Sequence, residues 1–127
     1  MAKRTGGTPS GAKPGSRRYV PNAGDLAWFS FSPQSGREQA GRRPALVVSP
    51  RTYNGPAGLC VVCPVTTLSK GYPFEVPLPA GLAVSGVVLS DHVKSADWRT
   101  RNAEYAGAAP AELLDEVRSK LGPLLGM

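Results

Sequence analysis

Three guanidiniums, a carboxylate and an amide crowd into one short run, Arg37-Glu38-Gln39-Ala40-Gly41-Arg42-Arg43, inside the stretch from Pro33 to Ser49. A guanidinium presents two parallel N–H donors that match the oxygens of a phosphate. A carboxylate set among cations is kept ionised and oriented by them. The combination suits a site that holds a phosphodiester and moves a proton beside it. An apolar segment, Ala45 to Val48, follows at once, so the polar run reads as a loop mounted on a strand.

The elements that must position this loop are short. Leu26 to Phe31 reads as a first strand, and Ala45 to Ser49 as a second, nearly all apolar and so buried on both faces. Arg51 to Gly58 reads as a turn region, because Asn54-Gly55 favours positive φ. Leu59 to Thr67 is a long third strand, followed by a loop, Ser69-Lys70-Gly71-Tyr72-Pro73. Phe74 to Leu78 is a fourth strand, which Pro77 confines to a sheet edge. Gly86 to Leu89 and Val93 to Ala96 are further strands, split by Ser90-Asp91-His92. One helix closes the chain. Pro110 suits its first turn, Glu112 its positive end, and Leu113, Leu114, Val117 and Leu121 form one apolar stripe. Gly122 is placed as the residue that stops it. Many short strands and one terminal helix predict a small, strongly bent antiparallel sheet or barrel.

Composition agrees. A chain of 127 residues supports one domain with a modest core, and 15 Gly with 13 Pro favour short strands over a helical bundle. The net charge of +6 is uneven. Lys3, Arg4, Lys13, Arg17 and Arg18 all precede Tyr19; without them, ten basic residues face nine acids, a net of +1. Residues 1–18, rich in Gly, Ser, Pro and cations, are expected to be a disordered basic extension, and residues 19–127 the folded domain. Affinity for an anion must therefore come from local charge at Arg37, Arg42, Arg43 and Lys70. Cys60 and Cys63 lie three apart on a predicted strand and so point to opposite faces; they read as buried free thiols, which fit a reducing cytoplasm. No apolar run is long enough to span a membrane.

The residues also carry a resemblance. Gly24-Asp25-Leu26, Trp28, Phe31, Pro33, Gly36, Glu38-Gln39-Ala40-Gly41, Arg43-Pro44-Ala45 and Ser49-Pro50 resemble the MazF/PemK family. So do Tyr53-Asn54, Cys63-Pro64-Val65-Thr66-Thr67, Ser69-Lys70-Gly71-Tyr72-Pro73-Phe74-Glu75, Asp91, Val93-Lys94-Ser95 and Trp98-Arg99. The likeness keeps register from about Tyr19 to Gly126. It implies an SH3-like small barrel, mainly β with a C-terminal helix. The implied activity is metal-independent, sequence-specific cleavage of single-stranded RNA, with mRNA as substrate. The products would be a 2′,3′-cyclic phosphate (or 3′-phosphate) and a 5′-hydroxyl. It also implies a toxin–antitoxin setting, a homodimer whose interface forms the RNA groove, a MazE-like antitoxin as partner, and no cofactor.

Metal-free cleavage uses the ribose 2′-hydroxyl against its own 3′-phosphate. It needs a proton acceptor, donors for the charged phosphorane, and a group that serves the leaving 5′ oxygen. A pair of histidines is not available, since His92 is the only one, and Asp25 with a lone Glu38 makes no two-metal site. The resemblance carries the family's catalytic positions onto Arg43 and Thr66, with Glu38 assisting. Arg43 stays protonated and so cannot be the base; it can hold the phosphate. Glu38 is either the general base or the group that orients Arg43. On residue types alone, a surface ion pair between Glu38 and Arg43 is the preferred reading. For RNA binding the candidates are Arg37, Gln39, Arg42, Thr67, Lys70 and Tyr72. Gln39 could read a base edge, and Tyr72 could stack a base. Ser30 and Ser32 stand on one strand face where the family carries acids, which should ease the approach of phosphates and alter which bases are accepted. Asp91 and Lys94 are weaker candidates for base or dimer contacts. Trp28 and Trp98 read as core or rim aromatics, and His92 as structural. Two other readings stay open: a protein-targeting poison of the CcdB type, and a non-catalytic SH3-like binder of RNA or peptide.

Overall fold

A computed structural model describes residues 19–31 and 41–127. Arg37, Glu38, Gln39, Ser32 and the extension 1–18 lie outside the described residues. Seven antiparallel strands are present among the described residues: β1 (Asp25–Ser30), β2 (Arg42–Val47), β3 (Leu59–Thr66), β4 (Glu75–Pro77), β5 (Val87–Leu89), β6 (Lys94–Asp97) and β7 (Glu104–Ala108). They pair in the order β4-β5-β3-β2-β1-β7, with β6 also on β3. The path stays open at both ends, so the ladder does not close on itself as a complete barrel would. Pro77 does sit on an edge strand, as its missing N–H requires.

The sheet buries both faces. Ala45, Leu46 and Val47 on β2 are all fully buried, and alternation sends Leu46 to one core and its two neighbours to the other. The first core gathers Leu26, Leu46, Cys63, Val65, Val76 and Val88 under the C-terminal helix α2 (Ala111–Leu124). The second gathers Ala27, Phe29, Ala45, Val47, Cys60, Val62, Ala96 and Trp98. Cys60 and Cys63 therefore face opposite ways along β3, both as free thiols. Leu113, Val117 and Leu121 bury one stripe of α2, each worth about 1.5–3 kcal/mol. That stripe outweighs the weak helix propensity of Gly122 and Pro123.

Three expectations change. Arg51 to Gly58 is not a bare turn; Arg51–Ala57 forms a helix, α1, closed by Gly58 at φ 72. The local Asn-Gly turn signal is overridden by tertiary contacts of Asn54. Its Nδ2 donates to Pro21 O and Ser49 O, both at 2.8 Å, and its Oδ1 accepts from Ser49 Oγ at 2.6 Å. Trp98 Nε1 donates to its carbonyl at 2.8 Å. Gly122 does not stop α2, which runs to Leu124. The turn back is made by Gly126 at φ 80, while the Met127 N–H donates to Gly122 O at 2.7 Å. Finally, β7 has no strand signal of its own, because Glu-Tyr-Ala-Gly-Ala has little strand propensity; pairing with β1 supplies it.

Candidate active site

Arg43 and Thr66 are brought together by register. Ala45 pairs with Pro64 across β2 and β3. Two residues further along both strands stand Arg43 and Thr66, so alternation places their side chains on the same face at the open end of that ladder. Arg43 pairs on its other side with the buried Phe29 of β1, and is itself exposed. Thr66 is half-buried, the last residue of β3, and pairs with Val87. Its Oγ1 accepts a hydrogen bond from the Leu68 N–H at 3.1 Å.

A group of cations shares this rim. Lys94 Nζ lies 4.1 Å from the centroid of the Phe31 ring, and Arg101 Cζ lies 5.5 Å from it. Arg101 Nη1 also donates to Ser30 O at 3.2 Å. Partial burial, and then the charges of Arg101 and Arg43, pull the Lys94 ammonium below its usual range. No ion pair to Arg43, Lys94 or Arg101 is formed by the described residues. Three cations within electrostatic reach of one another, with no acid paired to them among the described residues, make a locus for an anion.

Arg42 is used differently. It points away from Arg43's face, and its guanidinium donates to Ser30 Oγ (2.9 Å), Asn102 O (2.8 Å) and Glu104 Oε1 (2.9 Å). Ser30, expected to meet RNA, is thus the acceptor that helps fix Arg42. Thr67, Lys70 and Tyr72 lie on the exposed segment that leaves β3. That segment is gathered by Glu75, whose carboxylate accepts from Ser69 Oγ, Lys70 N and Gly71 N at 2.8, 2.9 and 3.0 Å. The Lys70 N–H above all holds the Glu75 carboxyl below its ordinary value.

The remaining candidates sort plainly. Trp98 is buried and Trp28 packs against the first core. His92, expected to be structural, has a largely exposed side chain, with Nε2 at 4.0 Å from Asp91 Oδ1. Asp25 is no ligand candidate: it accepts from Tyr19 OH (2.5 Å) and Asn22 N (2.9 Å), and burial raises its carboxyl above the usual range. Arg101 and Phe31 carry no site signal in the sequence. Phe31 follows β1 and Arg101 lies on the turn between β6 and β7, so their meeting depends on tertiary pairing that local spacing does not reveal.

The model of PemK-like, MazF-like toxins of type II toxin–antitoxin systems matches residues 22–125. The chain belongs to that family. It is 50% identical over 109 residues to the endoribonuclease toxin MazF of Escherichia coli strain K12, covering 86% of this chain and 97% of that one. The crystal structure of MazF from Deinococcus radiodurans superposes with a TM-score of 0.79 at 64% identity, over 87% of this chain and all of that one. A MazE–MazF crystal structure from the same organism gives 0.81 at 63% identity, over 86% and 99%. With such coverage, the chain is an endoribonuclease toxin of the MazF type.

Proposed function

We infer that this toxin cuts single-stranded RNA, mRNA included, at a short sequence by attack of a 2′-hydroxyl on the adjacent phosphorus. The bond from phosphorus to the 5′ oxygen breaks, leaving a 2′,3′-cyclic phosphate (or 3′-phosphate) and a 5′-hydroxyl. The supporting observation is the register that sets Arg43 and Thr66 on one face, beside the cations Lys94 and Arg101. Arg43 holds the scissile phosphate and offsets the charge that develops on the phosphorane. Thr66 donates its hydroxyl to a phosphate oxygen, since its own Oγ1 lone pair already accepts the Leu68 N–H. Glu38 takes the 2′-hydroxyl proton or orients Arg43. Buried free thiols suit a reducing cytoplasm, and no described helix is long and apolar enough to cross a membrane. The MazE–MazF complex of the Deinococcus relative supports a MazE-like antitoxin as partner. An acidic segment of that antitoxin, folding as it binds, would cover Arg43, Lys94 and Arg101. The working form is a homodimer.

The test is incubation of the purified protein with a long single-stranded RNA in EDTA, followed by primer extension and end-group analysis. Discrete cuts with 5′-hydroxyl ends are expected. Arg43→Ala should lower kcat by about 10²–10³-fold, the cost of one preorganised donor, with the melting temperature kept. A kcat within a few fold of wild type would remove Arg43 from the mechanism. Retarded but uncut RNA would favour the non-catalytic binder.

A further inference from the structure

The end of β3 is fixed by two main-chain contacts that local sequence does not announce. One is the Leu68 N–H on Thr66 Oγ1 at 3.1 Å. It occupies a lone pair of the hydroxyl and so limits where the O–H can point. The other comes from the strand opposite. A Cβ placed on Gly86 would stand 2.2 Å from Thr66 O, 2.8 Å from Thr66 C and 3.2 Å from Thr67 N. These are backbone atoms, which cannot swing aside as a side chain would. Gly86 is also at φ +121, a conformation that L side chains rarely adopt. It cannot retreat, because its carbonyl accepts from Leu78 N at 2.9 Å and its neighbour Val87 pairs with Thr66 itself. Gly81 makes a useful contrast: φ is +93, yet a Cβ there meets nothing within 4 Å. Gly81 answers a turn's need for positive φ; Gly86 answers, in addition, a need for contact.

We propose that Gly86 is a positioning residue for Thr66. Its missing side chain lets the chain entering β5 close onto the end of β3. Together with the Leu68 N–H, this contact sets the direction of the Thr66 hydroxyl. The proposal rests on the reading of Thr66 as a phosphate donor. It extends the site to a residue that touches neither substrate nor reacting atoms.

Steady-state cleavage of one defined RNA by Gly86→Ala, Gly81→Ala, Leu68→Pro and Thr66→Ala tests it. Gly86→Ala is expected to lower kcat by about 10²-fold, as a displacement near 1 Å does in a preorganised site, with KM little changed. Its Leu68 amide should exchange faster with solvent. Leu68→Pro removes the N–H on Thr66 Oγ1, and with it an exposed side chain and some freedom of the backbone at 67 and 68; it should also lower kcat at constant KM. Gly81→Ala carries the same kind of backbone strain without the contact; it should lose melting temperature and keep kcat. A folded Gly86→Ala with wild-type kcat, beside an inactive Thr66→Ala, overturns the proposal. If Thr66→Ala is itself fully active, the underlying role of Thr66 falls, and the proposal with it. Should Gly86→Ala fail to fold, Leu68→Pro decides alone: reduced kcat supports the arrangement, and wild-type kcat overturns it.

Discussion

Arg42 spends its fork on Ser30, Asn102 and Glu104, while Arg43, one residue on, faces the rim with Lys94 and Arg101. Strand alternation alone separates a structural arginine from the one proposed to hold the phosphate, and the two should answer mutation differently. Arg42→Ala is expected to destabilise by about 1 kcal/mol, since the guanidinium is partly exposed and its ion pair is screened. Its RNA affinity should be near wild type, measured with an oligonucleotide whose reactive 2′-hydroxyl is replaced by hydrogen. Lys94→Ala should do the reverse, keeping stability and reducing the slope of log K against log salt by about 1. Equal slopes for Lys94→Ala and wild type would remove Lys94 from the RNA path. Arg43 and Thr66 were legible in the sequence through polar residues at strand ends and through the family motif. Lys94 was legible only faintly and Arg101 not at all, because their meeting over Phe31 brings β6 and the turn after it to the end of β1, far earlier in the chain.

At the scale of elements, α1 shows how a buried side chain can overrule a local signal. Asn54-Gly55 has turn chemistry, yet Asn54 is fully buried and tied to Pro21, Ser49 and Trp98. Asn54→Ala would leave the two carbonyls and the Ser49 hydroxyl short of partners. A loss of about 1–3 kcal/mol is expected from urea unfolding, and a change within error would show that water replaces the amide. The strands themselves were readable because β-branched runs and Pro/Gly punctuation are local; α1 and β7 were not, because tertiary pairing decides them. The loop after β3 makes a separate, pH-dependent case. The Glu75 carboxyl is held below its ordinary value of 4.5, chiefly by the Lys70 N–H. A depressed carboxyl contributes its hydrogen bonds above the unfolded value and loses them as pH falls through the folded one. The Lys70 and Gly71 amide resonances should therefore titrate with a midpoint below 4.5. A midpoint at or above 4.5 would mean that the carboxylate does not organise this loop in solution.

On the scale of the whole molecule, β3 links both cores, with Cys60 in one and Cys63 in the other. Burial pushes both thiols up to about 12, so neither is a thiolate at neutral pH and neither is reachable by reagent. Native protein should be inert to a disulfide reagent, and denatured protein should titrate two thiols per chain. Unequal rates for Cys60 and Cys63 under mild denaturant would show one core opening before the other; equal rates would show that they open together.

The shared strand has a consequence for a cell that harbours such a poison. Thr66 closes the same ladder that carries both thiols, and Arg43 faces it only while that ladder is in register. On the proposed roles of Arg43 and Thr66, damage that melts either side of the sheet would disarm the chain. A nicked copy would then be harmless waste instead of a lingering nuclease, and a single opening of the ladder would be enough to silence it.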